Sequence, residues 1–273
     1  MTRVLAADRI NSLADELDRR FPRPLDIYVI GGSALALRGR KDSTKDIDLV
    51  LFSIDDAKLV RDILEGMGVK VSMRPSDPGH LASTPPTVDI AVDLFCGTIC
   101  NGLSLSSTMA SRAWVLDPQA RNAHFRVLSD EDLFLLKSVT ERPRDLHEMV
   151  GLFRGGLNKD ILLQECDVQD RMAKRGERIW ELFLLDRLEE LERTYSISVS
   201  WKGELKRRAD IKMGAALMMR SVPPEGCSYA DLSKAIEAPL DLVKRCAHYL
   251  EENDLISIDR SRKPHRLHKL KEL

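Results

Sequence analysis

The amino-acid sequence predicts an α/β (α+β) fold in which a mixed sheet is flanked by helices, followed by a helical extension and a small C-terminal domain. Apolar, β-branched stretches at residues 25–30, 46–52 and 88–95 have the pattern of strands. Segments with helical periodicity alternate with these strands in the first part of the chain, and helical segments predominate in the part that follows. We therefore predict three segments, residues 1–155, 156–200 and 201–273.

The composition is that of a globular protein. The chain has 273 residues, of which 43% are hydrophobic and 31% are charged. Its net charge of -1 does not indicate a nucleic-acid partner, so only the local distribution of charge is informative. Five cysteines occur without a Cys-x-x-Cys pair, and no signal peptide or membrane-spanning run is evident. The sequence predicts a cytoplasmic protein with reduced thiols and no membrane partner.

The first segment is predicted to begin with an amphipathic helix and then to alternate between strands and helices. Ser33 is expected to start the second helix, and Asp55 the third. The proline-rich stretch 74–87 is predicted to be a loop that either shapes a substrate groove or simply connects two strands. The predicted elements are a helix at 5–20, strands at 25–30 and 46–52, a helix at 55–67, strands at 69–73 and 88–95, and short strands within 97–117.

Two acidic residues on one predicted strand indicate a cation site. Asp46 and Asp48 stand two residues apart, so their side chains point to the same side of the strand, opposite Ile47 and Leu49. Like charges held so close require a counter-ion. Mg²⁺ (or Mn²⁺) suits them, because Mg²⁺ takes oxygen ligands from one or two carboxylates together with substrate phosphates.

A glycine turn precedes the acidic pair. Gly31 and Gly32 follow an apolar strand and permit close approach of the backbone to a ligand, and Ser33 can begin a helix whose free N–H groups suit phosphate. We include Thr44 and Lys45, directly before the acidic pair, among the nucleotide-binding candidates. Together these features predict a site for a nucleoside triphosphate (NTP) and a divalent metal ion.

These motifs resemble those of the nucleotidyltransferase superfamily, in the group that includes the minimal and the AbiEii-like enzymes. The family pattern is hydrophobic-Gly-Gly/Ser, a spacer, and then Asp-hydrophobic-Asp. The resemblance implies that Asp46 and Asp48 are catalytic metal ligands and that a third carboxylate stands on a later strand. Asp89 and Asp93 share one face of the stretch 88–95. Asp93, in Asp-Leu-Phe, fits the family pattern better, and Asp89 could tune it.

A second resemblance to the AbiEii-like group lies further along the chain. A Ser- and acid-rich start is followed by a helix that carries Lys137, and then by Arg142, Arg144 and Asp145. The resemblance implies that Lys137 contacts the nucleotide phosphates and that Asp145 lies near the site. Such a cation would help to neutralise the departing pyrophosphate. A solvated surface lysine is the alternative interpretation.

The C-terminal segment resembles a winged helix-turn-helix domain. Its order is a helix at 209–219, a second helix opened by Ser228 and Asp231, a third helix at 240–252, a strand near 255–258 and a basic tail. The basic tail suits a phosphate backbone of RNA or DNA, although the third helix carries few basic residues and also fits a protein partner. The apolar stripe between residues 179 and 191 is either core or a homodimer seam.

The resemblance implies an enzyme that transfers a nucleoside monophosphate (NMP) from an NTP to a hydroxyl group. RNA is the first choice of acceptor, and a tRNA end modified in the manner of a toxin is one version of it, because AbiEii-like relatives include RNA-modifying toxins. A protein or a small molecule is another acceptor. The alternative of a different class is a nucleotide-sensing, DNA-binding regulator without catalysis.

Overall fold

The structure is a computed structural model that describes residues 7–68, 70–73, 80–84, 91–173, 178–261 and 263–271. The chain forms two compact units, residues 1–165 (the N-terminal unit) and residues 166–273 (the C-terminal unit). The predicted middle segment, 156–200, is divided between them. Within the described part of the chain, every helix is too short or too polar to cross a bilayer.

The N-terminal unit is a mixed α/β structure, as the sequence predicts. Its helices are α1 (Ala7–Arg20), α2 (Gly31–Leu37), α3 (Ile54–Gly66), α4 (Ser107–Arg112), α5 (Asp130–Ser138), α6 (Pro143–Arg154) and the start of α7 (Lys159–Met172). Its described strands are β1 (Leu25–Ile30), β2 (Asp46–Leu51), β3 (Lys70–Met73), β4 (His80–Thr84), β5 (Ala91–Cys96), β6 (Thr98–Cys100), β7 (Leu103–Ser104), β8 (Trp114–Val115) and β9 (Ala123–Val127).

The described strands form one mixed sheet in the order β3-β4-β5-β2-β1-β9-β8, and β6 and β7 extend from β5. The pairs β1/β9 and β2/β5 are parallel, whereas β1/β2, β3/β4 and β4/β5 are antiparallel. The two central strands alternate as predicted. Ile47 and Leu49 of β2 are fully buried, as are Val92 and Leu94 of β5, at 0 to 1% exposure. Their neighbours Asp46, Asp48 and Asp93 are therefore directed to the other face.

Two sequence predictions need correction. The predicted loop 74–87 contains a strand, β4, because backbone pairing with β3 and β5 outweighs the local proline-rich composition. The second helix begins at Gly31 rather than at Ser33, and Ser33 lies inside its first turn. The predicted helical extension contains α8 (Trp180–Tyr195). Asp89 lies outside the described residues.

The C-terminal unit contains, after α8, three further helices and a small sheet. Its remaining elements are α9 (Lys202–Ser221), β10 (Cys227–Ser228), α10 (Tyr229–Ala235), α11 (Leu240–Glu252), β11 (Ile256–Asp259) and β12 (Arg266–Lys269). The strands form an antiparallel sheet in the order β10-β12-β11. Ser228 and Asp231 form the predicted capping box at the start of α10. Apolar residues of α9 and α11, among them Met218 and Val243, form the core with Leu267 of β12.

Candidate functional site

A cleft of about 870 Å³ opens in the N-terminal unit above the centre of the sheet. Of the ten site residues predicted from the sequence, nine line this cleft: Gly31, Gly32, Thr44, Lys45, Asp46, Asp48, Asp93, Lys137 and Asp145. The tenth, Ser33, does not. The chain therefore brings together two motifs that lie about 90 residues apart in the sequence.

The three predicted metal-binding aspartates share one face of neighbouring parallel strands. Asp48 of β2 stands directly opposite Asp93 of β5 in the pairing register, and Asp46 lies two residues before Asp48. In-register residues of adjacent strands point to the same side of a sheet, so the three carboxylates are directed into the cleft together. Side-chain alternation within each strand places its aspartates on one face, and the pairing register of β2 with β5 then brings the two acidic faces together.

Burial and the crowding of like charges both act on the pKa of Asp48. Burial, followed by the nearby charges of Asp46 and Asp93, raises the pKa of Asp48 from 3.8 to about 7, and the positive charges of Lys137 and Arg142 only partly oppose this. At neutral pH the site therefore carries negative charge at a free-energy cost. A cation bound beside Asp48 would relieve that cost.

The donor chemistry of this site fits Mg²⁺ or Mn²⁺, since Asp46, Asp48 and Asp93 offer only hard oxygen ligands. Within the described residues, no group of three or more Asp, Glu, His or Cys side chains stands in an arrangement that could hold a metal ion. Mg²⁺ commonly binds through one or two carboxylates together with substrate phosphates, so it does not require three protein ligands. The aspartates therefore fit an ion that arrives with a phosphorylated ligand.

The glycine turn lies against the carboxylates. Gly31 has a φ angle of +61°, and a Cβ atom built on it would lie 2.1 Å from Asp48 Oδ2. A Cβ atom on Gly32 would lie 2.6 Å from Thr44 Oγ1 and 3.5 Å from Lys41 Nζ. Side chains at either position would occupy the space beside the acidic pair. Both glycines therefore keep the backbone open to a ligand at this point.

Ser33 has a structural position. Its buried hydroxyl donates a hydrogen bond to the carbonyl oxygen of Ile30 at 2.8 Å, and it accepts one from the backbone N–H of Asp48 at 3.2 Å. These two hydrogen bonds connect the glycine turn to β2 and fix the position of the Asp48 backbone relative to that turn. Because Ser33 does not line the cleft, the direct phosphate contact predicted for it has no support in this geometry.

Thr44 and Lys45 differ in their exposure. Thr44 is buried, and its hydroxyl donates a hydrogen bond to the carbonyl oxygen of Asp46 at 3.1 Å, with Asp46 Oδ1 at 3.4 Å. Thr44 therefore orients the first aspartate. Lys45 lies exposed on the cleft wall, where its ammonium group can reach a bound anion.

A chain of opposite charges forms the facing wall. Lys137, on α5, is only 6% exposed and pairs with Asp145 Oδ1 at 3.0 Å and with Glu148 Oε2. Glu148 Oε1 pairs with Lys41 Nζ at 2.5 Å. Asp145 Oδ2 accepts hydrogen bonds from Thr140 and Arg142, each at 2.7 Å. This placement rules out the alternative of a solvated Lys137.

The pKa values of the two acidic partners reflect this pairing. Burial by itself would raise the pKa of Asp145, but Lys137 and the Thr140 hydroxyl outweigh it, so the pKa lies below its ordinary value. Burial would likewise raise the pKa of Glu148, but Lys137 and Lys41 outweigh it, so the pKa of Glu148 also lies below its ordinary value. Both carboxylates are therefore ionised at neutral pH.

The sequence analysis missed two residues of this wall, Lys41 and Glu148. Glu148 follows Asp145 by three residues on α6, so helical spacing places both on one face and could have identified it. Lys41 lies in the loop between α2 and β2, where no periodicity applies. Apolar residues complete the cleft: Phe95, Ile99, Leu133 and Leu136.

The glycine turn, the Asp-Ile-Asp strand, the aligned third aspartate and the buried lysine therefore lie around one cleft. A family described as "Nucleotidyltransferase of unknown function (DUF6036)" matches residues 8–178, and this chain belongs to it. A comparison with curated proteins gave no match. The match confirms the predicted superfamily, whereas the AbiEii-like subgroup stays a prediction.

The close approach of Gly31 to Asp48 can be tested by alanine substitution. Gly31→Ala and Gly39→Ala both place an alanine at positive φ, at +61° and +66°, but only Gly31 faces a neighbour among the described residues within 4 Å. Each should cost about 1–2 kcal/mol for the left-handed backbone. We expect Gly31→Ala to cost about 1–3 kcal/mol more, because Asp48 must move. Urea unfolding measures the difference, and equal losses would show that Asp48 yields freely.

The raised pKa of Asp48 predicts a pH-dependent stability. Between about pH 4 and pH 7 the folded protein holds a proton that the unfolded chain has lost, so the contribution of Asp48 to the free energy of unfolding falls as pH rises. Asp48→Asn removes this charge. In metal-free buffer we expect it to stabilise the protein by about 1–3 kcal/mol at pH 8 and by little at pH 4.

Thermal or urea unfolding at both pH values measures this effect. Asp62→Asn, an exposed carboxylate on α3, is the matched control and should change stability equally at the two pH values. An Asp48→Asn variant that is no more stable than wild type at pH 8 would contradict the crowding argument.

Proposed function

We propose that this protein transfers an NMP from an NTP to a hydroxyl acceptor and releases pyrophosphate. The observation that carries the proposal is the in-register pairing of Asp48 with Asp93, beside Asp46 and the glycine turn. Family membership supports NMP transfer in general. In the transfer, a bond forms between the acceptor oxygen and the α-phosphorus, and the bond to the β-phosphate oxygen breaks.

Asp46 and Asp48 would hold Mg²⁺ or Mn²⁺, with Asp93 as a further ligand. When bound, the ion supplies charge neutralisation at the phosphates and polarises the reacting oxygens. Asp93 also stands where it could accept the proton of the attacking hydroxyl. Gly31 and Gly32 leave room for the phosphates, and Lys137 faces them from the other wall, where its charge would stabilise the pyrophosphate as it leaves.

The charge of the cleft supports a requirement for a divalent ion. The described residues that line it include five basic side chains, Lys41, Lys45, Lys137, Arg142 and Arg144. They also include six acidic ones, Asp46, Asp48, Asp93, Glu141, Asp145 and Glu148. An NTP is strongly anionic and would meet a wall with no excess of positive charge. Nucleotide affinity should therefore depend on the divalent ion.

The C-terminal unit supports RNA, such as a tRNA end, as the acceptor. Its helices α9, α10 and α11 and its strands β10, β11 and β12 follow one another in the order of a winged helix-turn-helix, and we assign that fold to it. In α11, Arg245 pairs with Asp241 at 2.9 Å, so this helix offers little excess positive charge. The hairpin around β12 offers more, through Lys263, Arg266, Lys269 and Lys271. We infer that this hairpin contacts phosphate groups of the acceptor, as in a toxin-like modification of tRNA.

Transfer can be tested directly. Full-length protein is incubated with each α-labelled NTP, with Mg²⁺ or EDTA, and with total cellular RNA. We expect label in RNA only when Mg²⁺ is present. In Asp48→Ala the label should fall to background, because the remaining Asp46 and Asp93 do not reproduce the in-register pair of Asp48 and Asp93. Asp62→Ala, an exposed residue outside the cleft, is the matched control and should retain transfer.

Other outcomes of this experiment would redirect or reject the proposal. Label in protein or in a small molecule, with none in RNA, would reject the RNA acceptor and retain the transferase. Binding of NTP without transfer to any acceptor, together with specific binding of duplex DNA, would reject catalysis and indicate a nucleotide-sensing regulator.

The hairpin contact makes a separate prediction. Arg266 and Lys271 are exposed, and replacing both with alanine should raise the KM for RNA while leaving the affinity for Mg-NTP unchanged. The loss should be similar for different RNA sequences, and the salt dependence of RNA binding should weaken by about one unit of slope for each lost phosphate contact. Replacing Lys206 and Lys234 with alanine, which removes the same charge elsewhere in this unit, is the control. Equal effects of the two double variants would contradict a specific hairpin contact.

A further inference from the structure

We propose that Lys41 is a second phosphate-binding cation and that Glu148 positions it, together with Lys137, on the pyrophosphate part of the nucleotide. The inference rests on the proposed function and assigns two residues that no sequence motif indicates. Lys41 would touch the ligand. Glu148 would act through the two lysines, so it is a positioning residue.

The location of Lys41 is the first argument. Its Nζ atom lies 3.5 Å from the place where a Cβ atom on Gly32 would stand, so the ammonium group is beside the glycine turn. The neighbouring Gly31 abuts Asp48, where the α-phosphate must lie for transfer. A phosphate chain that starts at the aspartates and crosses the turn would therefore reach Lys41 with its β- and γ-phosphates.

The loop that carries Lys41 is anchored on both sides of its backbone path. Arg38 and Arg40 both pair with Asp130 at the start of α5, with distances of 2.5 Å and 2.7 Å to its two oxygens. Thr44 holds the other end of the loop through the carbonyl oxygen of Asp46. Lys41 thus projects from a fixed stretch of chain, and its flexible side chain is what remains to be ordered.

Glu148 provides that order. One of its oxygens bonds to Lys41 at 2.5 Å and the other bonds to Lys137, so a single carboxylate spans two ammonium groups from different elements. It cancels their mutual repulsion and reduces the entropy that Lys41 would otherwise lose when an anion binds. Without Glu148, no shared carboxylate would hold the ammonium groups of Lys41 and Lys137 beside each other in the cleft.

The contacts of Lys41 and Lys137 with Glu148 and Asp145 leave N–H donors for a phosphate. An ammonium group has three N–H donors. The bond to Glu148 uses one donor of Lys41, and the bonds to Asp145 and Glu148 use two donors of Lys137. Both lysines can therefore contact phosphate oxygens while Glu148 stays in place. Glu148 need not leave for the nucleotide to bind.

The test compares Lys41→Met and Glu148→Gln in the full-length protein. Calorimetric titration gives the Kd for Mg-NTP and for the corresponding NMP with Mg²⁺. A charge-assisted hydrogen bond is worth about 1.5–3 kcal/mol, which corresponds to a roughly ten- to hundredfold change in Kd. We expect Lys41→Met to weaken Mg-NTP by this factor and NMP by less than about threefold, because only the triphosphate reaches Lys41.

Steady-state kinetics and a double variant separate positioning from a general structural effect. Both single variants should raise the KM for NTP with little change in kcat, since the contact is present before and during transfer. Glu148→Gln should have a smaller effect in a Lys41→Met background than in the wild-type protein, because only its contact with Lys137 is then left to lose. Glu148→Asp, which keeps the charge but is one carbon shorter, should restore part of the affinity. Lys58→Met and Glu65→Gln, exposed residues on α3, are the charge-matched controls.

Three outcomes would overturn the inference. Wild-type affinity for Mg-NTP in Lys41→Met would show that Lys41 does not contact the nucleotide, and it would leave the proposed function intact. Tighter Mg-NTP binding in Glu148→Gln would show that Glu148 competes with phosphate instead of positioning the lysines. Failure of the wild-type protein to bind any Mg-NTP would overturn the proposed function and this inference together.

Discussion

The structure of the site depends on holding three carboxylates against their mutual repulsion. Asp46, Asp48 and Asp93 face one cleft because the alternate residues of β2 and β5, such as Leu49 and Leu94, are fully buried beneath them. Burying those apolar side chains stabilises the two strands by several kcal/mol, whereas the crowded charges oppose folding. The apolar face of the sheet thus offsets an electrostatic cost concentrated on its polar face. Such a cost is typical of sites that are completed by a ligand.

The facing wall answers the same charge problem in a different way. Along the contacts from Asp145 to Lys137, Glu148 and Lys41 the charges alternate in sign, and each has an opposite partner within hydrogen-bonding distance. A buried pair of this kind contributes little net stability, because desolvation opposes the attraction, but it fixes where each cation stands. The two walls therefore differ in kind. One concentrates three carboxylates on the same face of the sheet, and the other holds positive charge at defined positions.

Much of the N-terminal unit could be predicted from local sequence. Alternation identified β2 and β5 and the faces on which their aspartates lie, and a serine cap marked the start of α5. In the C-terminal unit, a serine cap likewise marked the start of α10. The failures have a common origin in long-range pairing. β4 forms in a stretch with turn composition because two neighbouring strands satisfy its backbone, and Ser33 turns inward because β2 supplies an N–H group to its hydroxyl. Neither partner is visible in the local sequence.

The sequence by itself determined which residue types carry the chemistry and which side of each strand they occupy, because side-chain alternation is a local property of the backbone. Tertiary structure decided the alignment of Asp48 with Asp93, the burial of Lys137 and the meeting of Lys41 with Glu148 across about 107 residues. These depend on strand register and on the packing of α5 and α6 beside the sheet. Such contacts form only when distant segments pack together, so no local pattern encodes them.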